Sequence, residues 1–408
     1  MLQLIKIAER KRDILKIIEN LDITPTMFNN AVEKYNALAH YLNDNELSAD
    51  IYPQGSFALG TIIRPNTKDS DASYDLDFIC HVHSAKENMS PSELRNRIEY
   101  VLKNSGVYRD KLKVFDECFT IQYADINGIS FSIDIVPAVE ESTSVKKILI
   151  SKSNRPDLIE TSIAIPKHTG NKNYTWLTNN PRGFKTWFEE INSHFLAVQR
   201  AEIRNAIYAS HRDTFDSIDE IPSDLERTTL QRVIQIIKFH RNNYYEKLEN
   251  GDDLKPISAI VNTLAAHIAK NADPSWDVFS LLSFILNELK IYSEHMRIDS
   301  NEFDKLYNLR SAITHNNKIW TIQNPANPHD NLADKWNTNS DIPKTFFKWV
   351  SICYDDLITS LNLPDIEFRS NLENAFGENI VRNSLGTKYN SAPPKPIYPL
   401  YAAKPYRK

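Results

Sequence analysis

Asp75 and Asp77 stand two residues apart in Tyr74-Asp75-Leu76-Asp77-Phe78-Ile79-Cys80, a run that otherwise reads as a strand. Side chains at i and i+2 share one face of a strand, so the two carboxylates point one way and Leu76 and Phe78 the other. Two adjacent, unpaired carboxylates repel, and a divalent cation between them removes that cost. Mg²⁺ suits such a pair, because it takes hard oxygen ligands from one or two carboxylates and completes its shell from substrate phosphates. A third aspartate, Asp134, lies in Ile129-Ser130-Phe131-Ser132-Ile133-Asp134-Ile135-Val136, a second strand-like run expected to end at Pro137. A lone carboxylate among those apolar neighbours is costly unless it has a partner. If the two strands lie side by side, Asp75, Asp77 and Asp134 form one site for two Mg²⁺ ions, with Mn²⁺ as a substitute. One ion would lower the pKa of an attacking hydroxyl, and the other would neutralise a leaving phosphate. That is in-line phosphoryl chemistry, where positioning and charge neutralisation do most of the work. The plain alternative, an acidic surface strand with no metal, leaves Asp134 unexplained.

A phosphate also needs a cradle. The small-residue turn Gln54-Gly55-Ser56 supplies one: glycine permits close backbone approach, N–H groups at a following helix start attract anions, and Ser56 adds a hydroxyl. Arg64 and Lys68 follow and reach phosphates or solvent equally well.

The elements that must position these groups are legible from periodicity. Thr24-Pro25 caps a helix carrying Phe28, Ala31, Val32, Tyr35, Leu38, Ala39 and Leu42 on helical spacing, ending near residues 43–45. A helix is expected from Ser92 to Lys103 and a strand from Phe119 to Tyr123. After about residue 180 the pattern turns helical. Trp187 and Phe188 lie on one face, Val233, Ile234 and Ile237 on another, and Ile257, Ile260, Val261 and Leu264 on a third. The domains expected are 1–180, a catalytic lobe that includes the N-terminal helices; 181–385, a helical lobe; and 386–408, an extended tail rich in proline and tyrosine. The fold class is α+β, a mixed sheet followed by helices, not a doubly wound parallel sheet. No Gly-x-Gly-x-x-Gly or Walker loop occurs.

Composition bounds the partners. With 408 residues, 41% hydrophobic and 25% charged, the chain reads as a soluble globular protein. Its net charge of −5 lacks the basic surplus of a protein that grips duplex nucleic acid, so a free nucleotide is the better substrate and stable DNA binding is not expected. Cys80, Cys118 and Cys353 fit no metal spacing and read as apolar fillers in a reducing compartment. Neither a signal peptide nor a membrane-spanning apolar run is seen, which points to the cytoplasm.

Three segments carry a family resemblance. Pro53-Gln54-Gly55-Ser56-Phe57-Ala58-Leu59-Gly60-Thr61, then Tyr74 to Ile79, then Ile133-Asp134-Ile135-Val136-Pro137-Ala138, resemble the polymerase-β-like nucleotidyltransferases. Within them the chain is similar to the bacterial CD-NTases, relatives of cyclic GMP-AMP synthase. The 18 residues from Phe57 to Tyr74 resemble that branch rather than minimal forms. The likeness continues at Asn180-Pro181-Arg182-Gly183-Phe184, at Leu230 to Lys238, at Lys255-Pro256-Ile257-Ser258 and at Asn324-Pro325-Ala326-Asn327-Pro328.

The resemblance implies a two-lobed fold with a cleft and template-independent nucleotidyl transfer from ATP, GTP or other nucleoside triphosphates. It implies a cyclic di- or trinucleotide product serving CBASS anti-phage signalling, with regulatory or effector proteins of a defence operon as partners. Gln54, Gly55, Ser56, Lys238 and Ser258 inherit nucleotide-binding roles from it, and Lys238 and Ser258 meet the donor triphosphate. Transfer to an RNA 3′ end, a small molecule or a protein is the alternative activity. Two departures matter. The chain lacks the His/Cys zinc cluster of the animal DNA sensor, and Ala259 stands where some relatives carry an aromatic that stacks on the donor base.

Several residues also have plainer readings. Lys238 alone is a snorkelling surface lysine, and Ser258 alone a helix cap. His81 and His83 are rim histidines rather than metal ligands. The aromatics near Trp187 and Tyr244 are core. Arg310 with His315 resembles a ribonuclease motif only superficially.

Overall fold

The computed structural model describes residues 2–63, 73–126, 129–171, 173–210 and 226–390. Helix α1 (Leu2–Asn20) leads to α2 (Pro25–Leu42), β1 (Ala49–Pro53), the one-turn α3 (Gly55–Ala58), β2 (Ser73–Ala85) and α4 (Pro91–Lys103). Next come β3 (Leu112–Val114), β4 (Phe119–Ile126), β5 (Ile129–Glu140), α5 (Thr143–Lys152), β6 (Ile163–Gly170) and β7 (Asn173–Asn179). These strands form one mixed sheet in the order β1-β2-β5-β4-β3, with β6 and β7 continuing from the far end of β5. The β2–β5 pair is parallel and the others antiparallel.

Alternation decides the sheet's two faces. Leu76, Phe78, Cys80 and Val82 of β2 are buried with Ile133 and Ile135 of β5 against α2 and α4. Each such side chain contributes about 1.5–3 kcal/mol on burial. The Tyr35 ring of α2 stacks on Phe78 at 4.3 Å, and its hydroxyl donates to the Ile51 carbonyl at 2.5 Å, fixing α2 across β1 and β2. Thr24 caps α2 as its sequence implies, and Ser90 with Glu93 forms a capping box on α4. The opposite face of β2, bearing Asp77, is turned away from this core.

The helical lobe comprises α6 (Pro181–Ser210), α7 (Thr229–Glu246), the short α8 (Gly251–Leu254), α9 (Ser258–Ala269), α10 (Val278–Tyr292) and α11 (Ser300–Tyr307). The small hairpins β8 (Thr314–Asn316) with β9 (Ile319–Thr321), and β10 (Gln323–Asn324) with β11 (Asn327–Asn331), interrupt it before α12 (Asp341–Leu357), α13 (Asp365–Phe376) and α14 (Glu378–Leu385). No helix among the described residues is long and apolar enough to cross a membrane.

Four expectations change. β5 does not stop at Pro137 but runs to Glu140. Pro137 falls after β4 pairing ends at Ile135 and before β6 pairing begins at Val139, where a missing donor costs least. Helix α1, assigned by sequence to the catalytic lobe, buries Ile14, Ile17 and Ile18 in the helical-lobe core instead. Ile257 does not join the buried face of α9; it precedes the helix and is 50% exposed. Residues 386–390, expected to open an extended tail, are held against α13 instead. Arg369 donates to the Gly386 and Lys388 carbonyls at 2.9 and 2.8 Å, while residues 391–408 lie outside the described residues.

Candidate active site

The parallel β2–β5 register sets Asp77 directly beside Asp134 and Asp75 beside Ser132. Neighbouring strands are about 4.8 Å apart, so residues in register on one face hold their side chains together. Asp77 and Asp134 therefore share the face opposite the α2–α4 core. Asp75 stands two residues earlier on the same strand; its side chain lies outside the described residues, as do Arg64 and Lys68. β4 adds a residue the sequence reading missed. Thr120 is paired with Asp134 across β4–β5, and its hydroxyl donates to Asp134 Oδ1 at 2.5 Å.

The 54–62 loop rests on β2. The Gln54 amide donates to the Asp77 carbonyl at 2.8 Å, and α3 begins at once with Gly55 at φ +61°. A Cβ on Gly55 would lie 2.5 Å from Asp77 Oδ2, so glycine is required both by the left-handed backbone and by the carboxylate against it. The loop closes where the Thr61 amide donates to the Ser56 carbonyl at 2.9 Å.

Helix α7 holds the loop from the other side. Gln231 Nε2 donates to the Leu59 carbonyl at 2.9 Å, Gln235 Nε2 to the Ile62 carbonyl at 2.8 Å, and Lys238 Nζ to the Thr61 carbonyl at 2.8 Å. Lys238 is thus not a snorkelling lysine: it is only 2% exposed. Burial pulls its ammonium down to about 7; neighbouring Arg241 pushes the same way, and Asp77 opposes them. Arg241 donates to the Pro256 carbonyl at 3.1 Å and to Ser258 Oγ at 3.2 Å. Burial lowers Arg241 to about 10. Ser258 is the first residue of α9, tied through Arg241 to the helix that carries Lys238.

Gln54, Gly55, Ser56, Asp77, Asp134 and Lys238 thus cluster around one loop, with Ser258 one side chain further out. Besides Thr120, sequence reasoning missed Gln231, Gln235 and Arg241. A signal for Gln231 exists, because Thr228-x-x-Gln231 is a capping-box pattern, and both of its hydrogen bonds form. His83 pairs with Asp50 at 3.1 Å, and burial lowers His81.

Residues 10–192 match the family model described as the Second Messenger Oligonucleotide or Dinucleotide Synthetase domain. Over 350 residues, 84% of this chain and 77% of the relative, the sequence is 24% identical to a c-di-GMP synthase of Roseivirga ehrenbergii. In fold it is similar to the Bradyrhizobium diazoefficiens CD-NTase CdnG, solved in complex with GTP, with a TM-score of 0.64 and 19% identity over 94% of this chain and 100% of that one. The E. coli MS115-1 CdnC:HORMA-deltaN complex gives a TM-score of 0.55 and 15% identity over 90% and 96%. A Vibrio cholerae di-nucleotide cyclase (DncV) variant, solved with ATP and GTP, gives 0.51 and 16% over 83% and 72%.

Proposed function

We propose that the chain is a bacterial CD-NTase, a reading supported by the match of residues 10–192 to the synthetase-domain model and by the c-di-GMP synthase relative, and that it joins nucleoside triphosphates, without a template, into a cyclic di- or trinucleotide. The observation that carries this reading is the placement of Asp77 beside Asp134, with the Gly55 backbone lying against the Asp77 carboxylate. For each linkage, a ribose hydroxyl oxygen of one nucleotide attacks the α-phosphorus of another. A P–O bond forms, the α–β phosphoanhydride breaks, and pyrophosphate leaves with the electron pair. A second such event closes a dinucleotide ring, so two triphosphates yield one ring and two pyrophosphates.

The donor set is hard oxygen, and the missing Gly55 side chain leaves room beside Asp77 Oδ2, which fits Mg²⁺ or Mn²⁺. Asp75, Asp77 and Asp134 would hold two ions, whose chemistry is to acidify the attacking hydroxyl and neutralise the triphosphate. Thr120 fixes one oxygen of Asp134 and so orients the other. The 54–62 loop receives the phosphates on its amides and on the Ser56 hydroxyl. Lys238, buried and held at the Thr61 carbonyl, braces that loop from behind, and Ser258, at the start of α9, is tied to the same helix through Arg241.

GTP is the first nucleotide to test, since the Roseivirga relative is named a c-di-GMP synthase and CdnG was solved with GTP. The CdnC complex supports a regulatory partner, and a CBASS-type defence operon in the cytoplasm is the setting we assign.

Purified protein given Mg²⁺ or Mn²⁺ and labelled nucleoside triphosphates should yield a phosphatase-resistant product, identified by mass spectrometry. Asp75→Ala combined with Asp77→Ala should abolish that product and leave the circular dichroism spectrum unchanged. Full activity in the double variant, or transfer only to an added RNA 3′ end, would overturn the proposal.

A further inference from the structure

We infer that Gln231 is a positioning residue that fixes the 54–62 loop to the helical lobe and so sets affinity for the donor triphosphate. The inference rests on the reading of that loop as the triphosphate cradle.

Both ends of the Gln231 amide are occupied. Oε1 accepts from the Thr228 amide at 2.9 Å, completing the capping box of α7, and Nε2 donates to the Leu59 carbonyl at 2.9 Å. The next loop residue, Gly60, adopts φ +64°, and a Cβ there would collide with Gln231 Nε2. The loop's other end is fixed by the Gln54 amide on the Asp77 carbonyl at 2.8 Å. Residues 54–62 are thus slung between the strand that carries Asp77 and the first turns of α7.

Gln235 and Lys238 continue the same helix face but have other duties. Gln235 Nε2 also donates to Asp22 Oδ1 at 2.8 Å, and Lys238 is a titratable amine whose proton burial loosens. Gln231 is neutral, and its amide nitrogen is not needed for capping, because a capping box accepts glutamate as readily as glutamine. The amide nitrogen serves the loop.

That asymmetry gives the test. Gln231→Glu keeps the acceptor that caps α7, loses the donor to Leu59 and sets a carboxylate oxygen against that carbonyl. The apparent KM for the triphosphate, and the Kd for a non-hydrolysable analogue, should rise on the order of tenfold, the loss of roughly one well-formed hydrogen bond plus an unmatched acceptor. The melting temperature without nucleotide should fall only slightly, since one hydrogen bond is small against a 408-residue fold. Thr228→Ala should do the reverse, lowering the melting temperature with KM unchanged. Hydrogen exchange gives a readout independent of turnover: in Gln231→Glu the amides of Gly60 and Thr61 should exchange faster while α7 stays protected. If the wild type binds no triphosphate, the reading of the loop fails and the inference with it. If the wild type binds and Gln231→Glu matches it in KM, Kd and loop exchange, the reading stands and the positioning role is overturned. An unfolded Gln231→Glu chain would also overturn it, because the amide would then serve stability.

Discussion

At the scale of single residues, Thr120 explains how Asp134 is aimed. A hydroxyl donating to a carboxylate oxygen at 2.5 Å is a strong, charge-assisted bond, and it stops the carboxylate from rotating. Partners of this kind behind a metal ligand typically change metal affinity or activity by about 10–100-fold when removed. Thr120→Val, nearly isosteric but without the donor, should weaken Mn²⁺ binding by that order, and Thr120→Ser should restore it. A titration of free Mn²⁺ by electron paramagnetic resonance, without nucleotide, reads this directly; unchanged binding in Thr120→Val would remove the role. The aspartates were legible in the sequence because a charge framed by Leu76, Phe78, Ile133 and Ile135 is anomalous in a strand. Thr120 was not, because threonine is an ordinary strand former. Its significance lies in register with Asp134, and register is a property of strand pairing that no single segment states.

Among the elements, α7 does most to join the two halves of the site. One face carries Leu230, Val233, Ile234 and Ile237 into the core, and the other sends Gln231, Gln235 and Lys238 to three loop carbonyls. The sequence showed the apolar face by its periodicity. It did not show the polar one, since glutamine and lysine on a helix ordinarily read as solvated. Burial of that face has a pH consequence. Lys238 falls from its usual 10.5 to about 7 in the folded chain, first by desolvation and then through Arg241, against Asp77. Between those values the unfolded chain holds a proton that the folded chain lacks, so this group's contribution to stability rises with pH across the window. Below about 7 both states are protonated and the burial penalty is felt in full. Lys238→Met removes the titration. Calorimetric melting of both proteins at acidic, neutral and alkaline pH should therefore show the wild type gaining on the variant as pH rises; a constant difference would mean that Lys238 stays charged when buried.

Across the whole molecule, the first helix meets the last helices among the described residues. Charged and apolar residues alternate along the N-terminal stretch, but such a pattern does not state what its apolar residues pack against. Its partner lies some 350 residues away: Arg10 of α1 donates to the carbonyls of Leu361 and Leu363 at 2.9 and 2.7 Å and to Asp365 Oδ1 at 2.7 Å, with its guanidinium 4.3 Å from the Phe368 ring centroid. Lys388 and Tyr389 reach back to Asp13 at 2.6 and 2.5 Å. The two-lobed plan was legible; this closure was not, because it depends on pairing the first helix with the last ones. Arg10 is fully buried, so its removal leaves the Leu361 and Leu363 carbonyls without that donor and opens a cavity beneath α1. Arg10→Ala should lower the unfolding free energy by roughly 1–3 kcal/mol, the cost of leaving buried carbonyl acceptors unmatched, while Asp365 keeps its pair with Lys6 at 2.9 Å. Arg10 does not touch the 54–62 loop, the aspartate strands or α7, so kcat and KM measured well below the transition should match the wild type. Denaturant unfolding with parallel steady-state kinetics separates the two effects, and a fall in kcat without a loss of stability would show that the terminal helix acts on the site rather than on the fold.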